Sequence, residues 1–529
     1  MASAAFRRKK EIRCAVRTTD AAAKKGRKMS AKFDRLKEIV QQLNRYEMLN
    51  ELLYWDMRTI MPGEGFDAHA DVTDYISTES FRLGNSDELF ELLRDISEPG
   101  EWEALDDNWK FIVTKMREDQ ERSRRIPEEV FRRAVAITTE SERAWEEAKE
   151  ASDFSVFAPH LEKMIEVQKE IKSYSHPEME IYDALLDDYE KGMDSATIDR
   201  IFSELRDGLV PLVHSILAVK QPEDPRFSRP CDVNAQKEVQ KLLLTYIGFD
   251  WNKGTTSESV HPFTLTVSGG TDVRITNHFR ETNAIDGLFS AIHEGGHAIF
   301  EQNIDPAIAN TPAGGCDHLG IHESQSRFFE NILGRNINFW RPIYPEVQKL
   351  LPAFADISLE DFAREINHVR AGMIRTMSDE VTYCLHVILR YEVEKAIFRE
   401  GVPVSELPAL WNRKMKEYLG VVPQNDAEGI LQDMHWSDGS FGYFPTYLLG
   451  SIYDGMFLDA MQADLGSVDT LLAEGRIGEI RAWLTEKIHR FGSLRCPKEV
   501  LKAVCGREAT AGPLLRYFRE KYSEFYPIG

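Results

Sequence analysis

Apolar residues follow a helical period over most of the chain. One early stripe, which begins just after Ser30, consists of Phe33, Leu36, Ile39, Val40 and Leu43, spaced three or four residues apart. That spacing places apolar side chains on one face of an α-helix. Similar stripes recur at about residues 102–171, 198–219, 234–247 and 374–398. The pattern therefore predicts a mainly α fold.

No segment rich in Gly, Ser or Pro divides the chain after residue 30. The length of 529 residues would by itself suggest two to four domains. Because the helical pattern continues without a linker, we predict one large helical domain over residues 30–529. Residues 1–29 are predicted to form a separate, basic and disordered leader.

The leader differs from the rest of the chain in charge. Residues 1–28 carry ten Lys or Arg against Glu11 and Asp20, and removing this net +8 from the chain's −22 leaves −30 for the remainder. The segment lacks the apolar stretch of a secretory signal. It is a disordered tail, the product of a start codon upstream of Met29, or an organelle transit peptide. We expect a cytoplasmic protein, with an organelle as the alternative location.

Composition excludes several classes of partner. An acidic chain repels the phosphates of free nucleic acid, so no nucleic-acid partner is expected. No apolar run approaches the roughly 18 residues that a membrane span needs, so no membrane partner is expected. The six cysteines are scattered and include no Cys-x-x-Cys pair. They indicate reduced intracellular thiols rather than a disulfide framework.

A β-hairpin is the only strand signal that stands out. Residues 261–267 and 271–276 alternate polar and apolar side chains, and the Ser-Gly-Gly sequence between them favours a turn. We therefore predict a small antiparallel sheet beside the helix that follows. Its edge could hold an extended peptide by main-chain hydrogen bonds. A purely structural hairpin is the alternative.

The helix after the hairpin contains the pattern His-Glu-x-x-His. His293 and His297 are four residues apart, so on a helix both imidazoles lie on one face and could bind a single metal ion. Glu294 falls beside them, where it could take a proton from a metal-bound water. The pattern is typical of zinc peptidases. A chance match with two solvated or core histidines is the alternative.

The rest of this helix is consistent with a site. Asp286 is a candidate N-cap ahead of it. Gly295 and Gly296 each disfavour a helix by roughly 0.5–1 kcal/mol relative to alanine. Their presence is easier to understand if a substrate or another backbone comes close to the helix there.

A zinc peptidase needs a third protein ligand and an open fourth position. One common arrangement has a third His six residues after the second and a Gly three residues after it, but these positions hold Asn303 and Phe300. The other arrangement uses a Glu from a following helix. A helix is predicted over residues 317–333, after a Gly-Gly break, and it carries Glu323. Glu323 is therefore the third candidate ligand of a single Zn²⁺.

A loop rich in aromatic residues, Gly and Pro lies near residue 440. His435, Tyr443 and Tyr447 give it polar groups that could donate hydrogen bonds to a developing oxyanion. Such a loop is suited to lining a cleft. A buried aromatic cluster is the alternative interpretation.

These motifs occur in an order that resembles the Taq-type thermostable metallocarboxypeptidases. The resemblance spans about residue 30 to the end, and one departure from the family pattern is Ser378, where the family usually has Ala. The matching residues are, in order, Trp55-Asp56, Met61-Pro62, His261-Pro262-Phe263, Asp272-x-Arg274-x-Thr276, His293-Glu294-x-x-His297, His322-Glu323-Ser324-Gln325, Ile374-Arg375-x-x-Ser378-Asp379, Gly429-x-x-Gln432-Asp433-x-His435-Trp436 and Tyr443-Phe444-Pro445-Thr446-Tyr447.

The resemblance implies a zincin-like helical domain around a long active-site groove, and a homodimer. It implies a metal-dependent exopeptidase that removes single residues from peptide C-termini with broad specificity. Zn²⁺ is the usual ion, one per chain, and Co²⁺ commonly supports activity in such enzymes. Peptides with a free C-terminus are thus the expected partners.

A carboxypeptidase must recognise a free carboxylate, which a planar guanidinium does with two parallel hydrogen bonds. Arg375 is the first candidate, because the family's corresponding Arg is thought to play this part. Arg274 is the second, although Asp272 on the same strand face offers it an internal ion pair. His261 and Phe263, at the start of the hairpin, are further substrate-binding candidates.

The expected mechanism uses Glu294 as the general base and the metal, with His435 or one of the two tyrosines, to stabilise the oxyanion. Asp379 is a candidate for orienting a ligand histidine. Two other hypotheses are open. One is a zinc endopeptidase or dipeptidyl carboxypeptidase of similar build. The other is a peptide-binding protein without activity, which would have no need of Glu294.

Overall fold

Helices account for most of the structure, which confirms the predicted mainly α fold. The computed structural model describes residues 30–315 and 317–528, so the predicted leader at residues 1–29 lies outside the described residues. The part before the sheet contains α1 (Ala31–Thr59), α2 (Phe66–Gly84), α3 (Asp87–Ile96), α4 (Pro99–Trp102), α5 (Asp107–Arg125), α6 (Glu128–Ala151), α7 (Phe154–Ser175), α8 (Ile181–Asp187), α9 (Ser195–Leu217) and α10 (Val233–Ile247).

The part after the sheet is again helical. It contains two π-helical stretches, Phe328–Leu333 and Ala396–Glu400, each of which directly follows an α-helix. Its helices are α11 (Ala284–Gln302), α12 (Leu319–Arg327), α13 (Ile337–Trp340), α14 (Tyr344–Leu350), α15 (Leu359–Ile366), α16 (Glu380–Lys395), α17 (Leu407–Leu419), α18 (Phe444–Leu465), α19 (Val468–Ala473), α20 (Ile477–Lys487), α21 (Pro497–Cys505) and α22 (Gly512–Phe525).

A three-stranded mixed sheet lies between the two helical parts. Its order is β1 (Gly254–Glu258), β3 (Asp272–Asn277), β2 (Thr264–Ser268), with β3 in the centre. The predicted hairpin is confirmed, because β2 and β3 pair antiparallel. The parallel strand β1 was not predicted, since its sequence Gly-Thr-Thr-Ser-Glu has no alternation of polar and apolar residues. β2 is an edge strand of this sheet.

The buried apolar residues form one connected core that extends from Phe33 in α1 to Tyr526 after α22. A small second cluster consists of Trp55, Leu265 and Val267, and it packs α1 against β2. Among the described residues, no helix is both long enough and apolar enough to cross a lipid bilayer.

Three helices meet in unusually close contact at the centre of the later part. A Cβ added at Gly296 of α11 would lie 2.6 Å from the carbonyl oxygen of Gln325, and one added at Gly450 of α18 would lie 2.9 Å from the Ser324 nitrogen. α12 is therefore held between α11 and α18, backbone against backbone. The sequence anticipated a close approach at Gly296. At Gly295 the neighbours are side chains, those of Ile247 and Leu244.

Several helix ends differ from the sequence predictions. α11 begins after Asn283, whose side chain accepts a hydrogen bond from the Asp286 backbone, so the prediction of Asp286 as the N-cap is wrong. Asn and Asp are about equally good caps, and sequence alone does not rank them. The helix predicted from residue 374 begins only at Glu380, because Asp379 caps it and residues 375–377 form a 3₁₀ turn.

We expect Gly296→Ala to destabilise the protein by roughly 1–3 kcal/mol, because the added methyl group would overlap backbone atoms of α12. Thermal unfolding followed by circular dichroism should show a lower midpoint. Gly478→Ala is the control, since Gly478 lies in α20 with nothing within 4 Å of the added carbon. The control should unfold at an unchanged or higher temperature. Equal midpoints for the two variants would contradict this account.

Candidate active site

The structure brings the three predicted metal ligands together. His293 and His297 lie on α11, and Glu323 reaches them from α12, with ligand atoms of all three within 4.8 Å of one another. The Oε2 atom of Glu323 lies 3.8 Å from Nε2 of His293 and 3.5 Å from Nε2 of His297. The close contact of α11 with α12 at Gly296, one residue before His297, explains why they meet.

The far side of the His293 ring is held by a carboxylate that the sequence interpretation missed. The Oε2 atom of Glu330 lies 2.8 Å from Nδ1 of His293. Burial alone would lower the pKa of His293, but the hydrogen bond with Glu330 and the nearby carboxylates raise it to about 9. Glu330 follows Glu323 by seven residues, about two helical turns, and this spacing was the available signal.

The far side of the His297 ring is held by another imidazole. Its Nδ1 lies 2.6 Å from Nδ1 of His322, whose Nε2 lies 3.0 Å from Oε1 of Glu301. Burial, and then the neighbouring His322, lower the pKa of His297 to about 3. His322 belonged to a recognised motif and Glu301 follows His297 by four residues, but neither had been assigned a role.

Glu323 is held in place by residues of its own helix. Its Oε1 accepts a hydrogen bond from Nε of Arg327 at 2.6 Å, and Ser326 donates to Oε2 at 3.2 Å. Burial would raise the pKa of Glu323, but the charge of Arg327 and the adjacent histidines lower it well below its usual range. The carboxylate is therefore ionised and directs one oxygen toward the two imidazoles.

Glu294 is buried beside the ligands and contacts the sheet. The hydroxyl of Thr264, the first residue of β2, donates to Oε2 of Glu294 at 2.7 Å. Burial raises the pKa of Glu294 above its ordinary value. A carboxylate with a raised pKa is a better proton acceptor, which is what a general base requires. Thr264 is a further residue that the sequence interpretation did not single out.

The donor set fits a metal ion. Each histidine has its Nδ1 engaged by another side chain, so its Nε2 remains directed toward Glu323. Two imidazole nitrogens and one carboxylate oxygen form the ligand set of many catalytic zinc sites, with ligands at roughly 2.0–2.2 Å from the ion. The separations of the Glu323 oxygen from the two imidazole nitrogens, 3.8 and 3.5 Å, leave room for one such ion between them.

The predicted carboxylate clamp, Arg375, is buried and already paired. Its Nε and Nη2 donate to Oδ1 of Asp433 at 3.1 and 2.8 Å, and Nη1 donates to the Tyr383 hydroxyl at 2.9 Å. Asp433 also accepts from Nε of Arg390 at 2.6 Å. One carboxylate therefore serves two guanidinium groups, and this cluster keeps one positive charge in excess.

The sequence allowed two interpretations of the aromatic loop, a cleft lining and a buried aromatic cluster, and each describes a part of it. Phe441 and Phe444 are buried, whereas the three polar candidates are only half-buried. Nε2 of His435 lies 3.3 Å from the Tyr447 hydroxyl, and the rings of Tyr443 and Tyr447 have centroids 5.1 Å apart. Burial raises the pKa of Tyr443, and the charge of Glu323 raises it further, so this loop lies beside the ligand cluster.

The loop is braced by a buried carboxylate on α16. Glu394 accepts hydrogen bonds from the Trp436 indole, the Gly442 backbone and the Tyr182 hydroxyl, each at 2.9 Å.

Burial lowers the pKa of His435 to about 4. The imidazole next to Tyr447 is therefore neutral at physiological pH.

The hairpin candidates are spread along the sheet. Arg274 makes the internal ion pair that the sequence allowed, with Nε and Nη2 at 2.9 and 2.8 Å from the two oxygens of Asp272. Phe263 packs edge-on against Tyr54 of α1, with centroids 5.6 Å apart. His261 is exposed ahead of β2.

The prediction that Asp379 orients a ligand histidine is wrong. Its oxygens accept hydrogen bonds from the backbone of Val381 and Thr382 and from the backbone of Arg370. Asp379 is thus the N-cap of α16, a role that its type and position favour. The carboxylate that contacts a ligand histidine is instead Glu330, beside His293.

Known proteins resemble this chain over nearly its whole length. The family described as Carboxypeptidase Taq (M32) metallopeptidase matches residues 35–522. Carboxypeptidase 1 of Bacillus subtilis is 41% identical over 491 residues, which cover 92% of this chain and 97% of the relative. Thermostable carboxypeptidase 1 of Thermus thermophilus is 34% identical over 507 residues, 94% of this chain and 99% of the relative.

The fold agrees with these sequence matches. The crystal structure of the M32 carboxypeptidase from Deinococcus radiodurans superimposes with a TM-score of 0.91 at 31% identity, covering 94% of this chain and 100% of that one. The chain therefore belongs to the Carboxypeptidase Taq (M32) family and is a metallocarboxypeptidase, a hydrolase of peptide bonds.

Proposed function

We propose that this metallocarboxypeptidase releases single amino acids from peptide C-termini with broad specificity. His293, His297 and Glu323 would hold one Zn²⁺, for which Co²⁺ can substitute. The observation that carries this proposal is the convergence of the three donors beside a buried carboxylate, Glu294. The family assignment excludes the alternative of a peptide-binding protein without activity.

Glu294 is the proposed general base. When bound, the ion supplies Lewis acidity, which polarises the scissile carbonyl and acidifies the attacking water. Glu294 takes a proton from that water and delivers it to the leaving amine. The Thr264 hydroxyl holds Oε2 of Glu294 in place, and the raised pKa of Glu294 makes it a stronger base.

His435, Tyr443 and Tyr447 are the proposed donors to the oxyanion. Burial raises the pKa of both tyrosines, so both hydroxyls keep their protons at neutral pH. Protonated hydroxyls can donate to the negative charge that develops on the carbonyl oxygen. His435 is neutral beside Tyr447 and can orient its hydroxyl or donate itself.

Arg375 is the proposed site for the substrate's terminal carboxylate. Arg375 and Arg390 share Asp433, so this cluster has one uncompensated positive charge. Arg274 and Asp272 form a neutral pair. A terminal carboxylate would therefore gain more from the Arg375 cluster than from the hairpin. His261 and Phe263 remain proposed contacts for the rest of the peptide.

Assembly and location are also proposals, which follow from the resemblance. We propose a homodimer in the cytoplasm, and light scattering after size-exclusion chromatography would measure the dimer directly.

Glu294→Gln and Glu323→Ala should separate chemistry from metal binding. Glu294→Gln should keep its zinc and lose roughly 10²–10⁴-fold in kcat, the usual cost of losing a general base. Glu323→Ala should lose the zinc itself, because two imidazoles remain where three ligands are needed. Zinc per chain, measured by mass spectrometry of the purified variants, and turnover on one peptide decide the matter. Near-normal turnover by Glu294→Gln would mean that another group is the base.

Arg375→Ala should discriminate between peptides with free and blocked C-termini. Loss of two charge-assisted hydrogen bonds, roughly 1.5–3 kcal/mol each, corresponds to about a 10²–10⁴-fold fall in kcat/KM for the free acid. The amidated peptide is a poor substrate already and should lose little more. Arg375→Lys should recover only part of the activity, because an ammonium lacks the planar fork.

Arg274→Ala is the matched control for this experiment, since it removes a half-buried guanidinium that is also paired with an aspartate. Equal losses of Arg375→Ala on acid and amide would show that Arg375 is structural. If Arg274→Ala instead lowered kcat/KM for the free acid alone, the carboxylate site would lie at the hairpin.

A further inference from the structure

The two ligand histidines are supported in different ways. His293 has a carboxylate directly behind it, with Oε2 of Glu330 at 2.8 Å from Nδ1. His297 has an imidazole behind it, and only beyond that imidazole is there a carboxylate. The rings of His297 and His322 have centroids 4.5 Å apart and are tilted by 33°.

Helix geometry produces this arrangement. His322 precedes Glu323 on α12, so their side chains project in directions about 100° apart. Glu323 faces the ligand cluster, and His322 therefore faces the flank of α11. On that flank His297 and Glu301 are one turn apart, and His322 contacts both, at 2.6 Å and 3.0 Å. Glu301 is 6% exposed, so water competes little for this contact.

The positions of the protons follow from the three groups. An ionised carboxylate only accepts hydrogen bonds, so Nε2 of His322 must carry the proton that is donated to Glu301. In the neutral tautomer that has this proton, Nδ1 of His322 has a lone pair and accepts from Nδ1–H of His297 at 2.6 Å. That leaves the lone pair of His297 on Nε2, the atom 3.5 Å from Glu323.

The opposite arrangement, with the proton of His322 on Nδ1, is disfavoured for two reasons. If His322 donated from Nδ1, its unprotonated Nε2 would face the Glu301 carboxylate, acceptor against acceptor. The proton of His297 would then lie on Nε2, where a metal ligand needs its lone pair. The chain Glu301–His322–His297 therefore selects one tautomer of the ligand.

We propose that His322 and Glu301 are positioning residues that act in series to fix His297 in its ligand tautomer. This inference rests on the proposed metal site. It goes further than that site, because it assigns to Glu301 an effect on the tautomer of His297 that is transmitted only through His322. Partners that orient a ligand histidine typically change metal affinity by about 10–100-fold when they are removed.

The test is zinc affinity, measured by competition with a chromophoric chelator on the metal-free full-length protein. His322→Leu should weaken zinc binding by about 10–100-fold. His322→Gln should recover part of that loss, since its carbonyl oxygen can accept from His297 while its amide donates to Glu301. His322→Gln binding zinc as weakly as His322→Leu would overturn the hydrogen-bonded relay.

A double-mutant cycle tests action in series. Glu301→Leu should weaken zinc binding in the same direction, and the double variant Glu301→Leu/His322→Leu should be no weaker than His322→Leu alone. Multiplied losses in the double variant would overturn the series arrangement. Wild-type affinity in His322→Leu would overturn the proposal as a whole.

His489→Leu is the control for general disruption of this region. His489 is fully buried and packs on the same Phe300 ring as the half-buried His322, with centroids 5.4 Å and 5.1 Å away. It makes its hydrogen bonds to Gln325 and Thr485. Its zinc affinity should equal that of the wild type, and a loss as large as that of His322→Leu would overturn the relay.

The metal site and the relay fail in distinguishable ways. Wild-type protein that binds no zinc, or His293→Ala that binds it normally, would overturn the ligand assignment and the relay with it. Normal zinc binding by the wild type, lost in His293→Ala and kept in His322→Leu, would overturn the relay alone.

Discussion

Backbone contact between α11, α12 and α18 is the constraint on which the active site depends. Glycines at 296 and 450 remove the side chains that would otherwise separate these helices. α12 can then bring Glu323 within reach of two histidines that α11 presents one turn apart. A methyl group at either glycine would press on the backbone of α12 and so change the distance between the ligands.

Buried charges around the site are arranged in compensated groups. Arg327 faces Glu323, Arg335 lies 3.7 Å from Glu330, and Asp433 lies between two arginines. An unpaired charge at such depth would cost several kcal/mol. The exception is the excess positive charge of the Asp433 cluster, which is the kind of imbalance that an anionic group of a substrate can relieve. The ionic contacts that compensate these buried charges would therefore, in the proposed function, also serve recognition of the substrate.

Short sequence patterns predicted those parts of the site whose residues lie close together along the chain. The spacing of His293 and His297 on one helix was readable from a motif of five residues, and Glu323 was predicted from a helix that follows a break. The partners of Arg375 were not readable, because Asp433 lies 58 residues further along the chain and packing alone brings the two together. The strand β1 was missed for a different reason, since it is too polar to show a period of two.

The π-helical stretch Phe328–Leu333 has a consequence for the evolution of this site. A π turn corresponds to one residue inserted into an α-helix, so the chain after Leu333 is rotated by about 100° relative to a regular continuation. Glu330, the support of His293, lies within this stretch. A homologue that lost one residue here would straighten the helix and withdraw that carboxylate. It would then need another group beside its histidine, so the length of this segment bears on the metal site although no residue in it is a proposed ligand.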